Sequence, residues 1–185
     1  MKRIISLDEF KNHENGFTLI ELIVVMMMIG IISAISIPQF LTAANKAKQK
    51  EASSIVASMI KAATMFNTEY GVLPERMGDL SEYGKFQKCV AKDVHIHGSK
   101  VCKTGPQEET HPDEINFYSP SGLYFIWFGL RKEETILIVT ASPTGLNSFR
   151  KSGLGVTGCY NPAKGIAMVK ELKEPGDWRV TEPTC

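Results

Sequence analysis

No lysine, arginine, aspartate or glutamate occurs between residues 22 and 45, a run of 24 residues. Its first half, residues 22–32, is continuously apolar apart from Gly30. At ~1.5 Å per residue, a helix of that length reaches roughly 36 Å, enough to cross a hydrocarbon layer of about 30 Å. The averages for the whole chain conceal this, because 43% hydrophobic and 22% charged residues are ordinary for a soluble domain. A wholly water-soluble chain is not expected. A protein with several membrane spans is excluded, since no second apolar run reaches 18 residues. The formal charge is +1, from 21 basic and 20 acidic side chains, so nucleic-acid binding by bulk charge has no support. The remainder of the chain, on the C-terminal side of the run, is long enough for one small domain.

The flanks sharpen the reading. Residues 1–16 form a polar leader in which Lys2, Arg3 and Lys11 are offset by Asp8, Glu9 and Glu14. The apolar stretch then opens as Gly16-Phe17-Thr18-Leu19-Ile20-Glu21-Leu22. Glu21 is the residue that asks for an explanation. A carboxylate within a spanning helix costs roughly 2.5–3.5 kcal/mol at the centre and less near an end. If the chain is cut after Gly16, the new amine of Phe17 lies one helical turn from Glu21 and can pair with it, in the same chain or a neighbour. The plainer alternative is a carboxylate that reaches up to the headgroup level. An ordinary secretory signal cleaved near Ala34-Ile35-Ser36 is a competing parse. The run is long for such a signal, and Glu21 inside it is unusual.

The segment from Gly16 to Leu22, the apolar run and Pro38 together resemble the prepilin signature of the type IV pilins and the type II secretion pseudopilins. The resemblance covers residues 16–70 well, and beyond Tyr70 only the general layout is similar. It implies that Gly16 is the last leader residue, recognised by a prepilin peptidase, and that Phe17 becomes the mature N-terminus and is N-methylated. It implies that Glu21 pairs with the Phe17 amine of an adjacent subunit during assembly. Pro38 is expected to kink the helix, and in assembled fibres of this family the segment from Gly30 to Pro38 often unwinds. Leaders of this family usually carry net positive charge, whereas this one is neutral. Lys46, Lys48 and Lys50 balance the three leader cations, so charge alone leaves the orientation undecided. The resemblance places the leader in the cytoplasm and the domain outside.

After the run the pattern becomes periodic. Ala52, Ile55, Met59, Ala63, Phe66 and Tyr70 recur at steps of three or four, while Lys46, Lys50, Ala57, Lys61 and Thr68 fall opposite. Neither glycine nor proline occurs in residues 39–70, so one helix is predicted over residues 17–70, roughly 81 Å long at ~1.5 Å per residue. Gly71 and Pro74 end it. Residues 71–122 read as a long surface loop with a short helical piece near residues 77–86. Residues 123–130 and 135–141 are aromatic and β-branched runs joined as a hairpin. A second loop over residues 142–155 precedes strands at 156–160 and 166–172. The predicted fold is α+β, the pilin layout. One long helix, apolar in its spanning half (17–45) and amphipathic in the rest (46–70), packs on an antiparallel sheet of about four strands in a head of residues 71–185.

Cys89, Cys102, Cys159 and Cys185 all fall in the presumed exported head, and an even number there favours disulfides. Three connectivities are possible; sequence nearness prefers Cys89–Cys102 and Cys159–Cys185, and the latter adds about 3 kcal/mol by loop entropy. Cys89, His95, His97 and Cys102 are the only zinc candidates, at spacings that match no recognised zinc pattern, so no metal or other cofactor is expected. His111, beside Pro112, is expected to be exposed, and His13 leaves with the leader. Nucleophile elbow, P-loop, His-Glu-x-x-His and Gly-x-Gly-x-x-Gly motifs are all missing from the sequence, so enzymatic activity is not expected. Arg131-Lys132 and Arg150-Lys151 are small basic clusters that support DNA contact only weakly. The expected function is that of a pilus subunit for motility, adhesion or DNA uptake, stored in the inner membrane and polymerised outside. Its partners would be other pilin copies, the prepilin peptidase and the assembly machinery. A minor pilin or secretion pseudopilin is the near alternative, and a DNA- or surface-binding adhesion module the distant one.

Overall fold

A computed structural model describes residues 16–89, 107–131, 135–144, 147–174 and 185. The chain divides into two units, Met1–Leu41 and Thr42–Cys185. One helix, α1 (Leu19–Tyr70, 52 residues), contributes to both. It begins two residues later than predicted, because Thr18 serves as its cap. It ends where the sequence places its end: Gly71 takes φ +73, the left-handed conformation that glycine adopts without a Cβ penalty. Gly30 and Pro38 both lie within α1, and the backbone stays helical through them.

In the first unit every described residue except Ser33 is exposed, and Ser33 is half-buried. Ile20, Val25, Met27, Ile31 and Phe40 are among its uncovered apolar side chains. In the second unit α1 buries Gln49, Ala52, Val56, Met59, Ile60, Ala62 and Ala63. Lys46, Lys50, Ala57, Lys61 and Thr68 are exposed, as the periodicity predicts. The predicted stripe is off-centre: Ile55 and Phe66 are half-buried, Tyr70 is exposed, and Val56 and Ile60 carry the deep contacts instead.

The sheet is a five-stranded antiparallel meander: β3 (Asn116–Tyr118), β4 (Tyr124–Arg131), β5 (Ile136–Pro143), β6 (Val156–Asn161) and β7 (Ile166–Glu171), in that spatial order. A separate two-stranded ribbon pairs β1 (Gln87–Cys89) with β2 (Gln107–Glu109). The count of about four strands is thus corrected to five in the main sheet. The fifth, β3, has three residues, too few for a period-two signal, and is recruited because Phe117 is buried. Within residues 71–122 the helical piece predicted near 77–86 is the turn α2 (Met77–Leu80), with Met77 and Leu80 buried, and the described residues add the short strands β1, β2 and β3, which the reading as a loop lacks. The loop predicted over 142–155 contains α3 (Asn147–Ser152), which buries Phe149 edge-on to Tyr124, their ring centroids 5.7 Å apart.

Strand alternation sorts the two faces. Ile126, Ala141 and Val156 align in one row and Phe128, Val139 and Gly158 in another, and both rows join the core that α1 closes. Gly158 permits the approach: a Cβ there would stand 2.6 Å from a methyl of Val56. On the opposite face Ile136, Ile138 and Cys159 form a smaller buried cluster with Cys185 against it.

Candidate functional site

The start of α1 is held by two reciprocal contacts. The Thr18 hydroxyl accepts a hydrogen bond from the Glu21 backbone N–H (3.3 Å), and a Glu21 carboxylate oxygen accepts the Thr18 backbone N–H (2.9 Å). The same oxygen accepts the Thr18 hydroxyl (2.7 Å), and the Leu22 N–H donates to the Thr18 carbonyl (3.2 Å). This is a capping box, in which N-cap and third helical residue satisfy each other's exposed amides. The pattern Thr-x-x-Glu immediately before an apolar run is the sequence signal for it, and a reading of Glu21 by its charge alone passes over it. Its electrostatics are favourable as well, since a carboxylate in the first turn faces the positive end of the helix dipole.

Gly16 and Phe17 lie just outside the helix, both exposed, with Phe17 at 85% of its full exposure. Among the described residues, no neighbour lies within 4 Å of where a Gly16 Cβ would stand. The peptide bond between them is therefore open on non-helical backbone, the state in which a protease can take a chain into an extended cleft. After it, beyond Glu21, comes the charge-free half of α1, whose large apolar side chains are left exposed by the described residues. The exposed Gly16–Phe17 bond, the Glu21 carboxylate and the apolar rod thus occupy one contiguous stretch. Residues 1–15, expected to be a leader and including His13, lie outside the described residues.

The other candidates separate. Cys159 is bonded to Cys185, with Cα atoms 6.2 Å apart and a sequence separation of 26. Cys89 is also disulfide-bonded, which leaves it no thiolate for a metal. Its expected partner Cys102, and His95 and His97, lie outside the described residues. Among the described residues no group of three or more His, Cys, Asp or Glu converges as a metal site would. His111 is exposed, as expected; its ring nitrogen accepts the Asp113 N–H at 3.3 Å. Arg131, Arg150 and Lys151 are exposed, and Lys132 lies outside the described residues.

Residues 11–37 match the family described as the prokaryotic N-terminal methylation motif. The type IV major pilin protein PilA of Myxococcus xanthus (strain DK1622) is 38% identical over 100 residues, which cover 49% of this chain and 44% of that relative. The chain thus spans less than half the length of the curated relative it matches. No solved structure matches significantly.

Proposed function

We propose that this chain, for which the methylation motif, the helix-on-sheet fold and the relative support a type IV pilin, is a structural subunit of a pilus. The observation that carries the proposal is the arrangement at the start of α1. An exposed Gly16–Phe17 bond precedes a carboxylate and an apolar half-helix that none of the described residues covers. A prepilin peptidase cuts after Gly16, and the released Phe17 amine is methylated. The charge-free half of the helix rests in the membrane as a single span and then passes into the fibre, where copies of itself replace lipid. There the Phe17 ammonium of a neighbour neutralises Glu21. A charge that is costly in hydrocarbon becomes a paired one, and the pairing fixes how far one helix is offset along the next. Similarity to a major pilin favours an abundant fibre subunit over a minor one. Once cut, the protein does mechanical work rather than catalysis.

N-terminal sequencing and intact mass of fibres sheared from cells test this. The expected result is a chain that starts at Phe17 with the mass of one added methyl group. Material that begins at Met1, or beyond Glu21, overturns it.

A further inference from the structure

In the second unit the structure gathers cations from two distant stretches of sequence. The side-chain amide of Asn45 on α1 donates to the Ser152 carbonyl at the end of α3 (3.2 Å), and the Lys48 ammonium stands 4.7 Å from the centre of the Phe149 ring. These contacts fix the last turn of α3 beside the turn of α1 that holds Lys46 and Lys48. Lys46, Arg150 and Lys151 are all exposed there, and Lys48 is half-buried with its stem along Phe149. Among the described residues, Glu171 binds the Lys50 ammonium at 2.8 Å, and Glu51 accepts the Ser121 N–H at 3.3 Å. The result is a cationic surface.

Its place along the chain says what it would meet. Lys46 follows Leu41, the last large apolar residue of the run, by five positions. Within a helix that is roughly 7–8 Å, less than a Debye length at physiological salt. We propose that this surface binds the anionic headgroups of phospholipids, and so holds the head to the bilayer while the apolar half of α1 is still in lipid. This rests on the reading of that half as membrane-embedded. Charge complementarity supplies the attraction, about five-fold in affinity for each cation close to an anionic surface. DNA offers the same phosphate chemistry. The membrane is favoured because the apolar run delivers these cations to it.

The test uses the full chain reconstituted in vesicles of equimolar phosphatidylcholine and phosphatidylglycerol. Native mass spectrometry after release counts the lipids retained. The wild-type chain should retain phosphatidylglycerol preferentially, and added salt should weaken the preference. Lys46→Gln/Lys151→Gln should lower the preference by more than about ten-fold, from the loss of two cations. Lys46→Arg/Lys151→Arg should keep it, and Lys61→Gln, a charge loss more than three turns further along α1, should leave it unchanged. Equal retention by wild type and the glutamine variant, with both resistant to carbonate extraction, overturns this proposal and leaves the pilin reading standing. A chain that carbonate extracts overturns both. Duplex binding that depends on the same lysines, without lipid preference, assigns the surface to nucleic acid instead and also overturns it.

Discussion

Thr157 and Tyr124 show how single residues set the stability of the head. The Thr157 hydroxyl is fully buried in β6 and has no hydrogen-bond partner among the described residues. An unpaired buried hydroxyl costs about 1–3 kcal/mol in lost hydration, and its isostere valine has nothing to lose. Thr157→Val should therefore raise the thermal midpoint of the detergent-solubilised chain, and a clear fall would show that the hydroxyl has a role. Tyr124 is buried as well, and its hydroxyl donates to the Leu154 carbonyl at 3.1 Å. Burial pushes its ionisation well above the ordinary phenol value, and the negative charge of Glu51 pushes it further the same way. The folded state thus binds the phenolic proton more tightly than the unfolded state does. The stability this contributes is fully present below about pH 10, the unfolded value, and is lost as pH rises toward the higher folded value. Unfolding midpoints measured upward from about pH 9 should fall, and Tyr124→Phe should flatten that fall. Glu21 stands out in the sequence by its charge alone, because a carboxylate beside an apolar run demands a partner. Thr18 was not, although the capping pattern was there to be read.

At the scale of elements, legibility followed length. α1 and the four longer strands β4, β5, β6 and β7 were readable, because each repeats its period several times. The pieces that were missed, β1, β2, β3 and α3, have three to six residues. Their structure comes from contacts distant in sequence, such as the burial of Phe149 beneath Lys48 and Tyr124. The stripe on α1 was placed slightly off its true axis for a related reason. The sheet supplies a glycine at position 158, and that gap draws Val56 and Ile60 inward. Gly158→Ala tests the contact. Its methyl would meet Val56 at 2.6 Å and Ile60 at 3.1 Å, both on a helix that cannot yield without moving several neighbours. The expected loss is about 1–3 kcal/mol, the range for an overfilled core, read from denaturant or thermal unfolding of the solubilised chain. Gly158→Ala combined with Val56→Ala should recover part of it.

The whole molecule combines a unit that satisfies itself with a unit that does not. Residues 42–185 enclose a core between α1 and the sheet, and the described part of residues 1–41 encloses nothing. Composition averages hide this division, and the charge map reveals it. Under the proposed function the prediction at this scale is about assembly. Glu21→Ala should leave export and cleavage after Gly16 intact, because neither depends on a partner chain. The yield of sheared fibres should drop severely while the processed protein accumulates in the membrane fraction, as followed by immunoblot and N-terminal sequencing. Normal fibre yield from that variant would remove the assembly role of Glu21.

The cap at the start of α1 bears on how such a polymer is taken apart. In the solitary chain Glu21 is already content, because Thr18 gives it two donors. Under the proposed function, an incoming ammonium supplies the countercharge that this cap lacks, and the threonine it displaces stays beside it. The cost of releasing that ammonium is then offset in part, because the carboxylate goes back to its own threonine's donors as the helix returns to lipid.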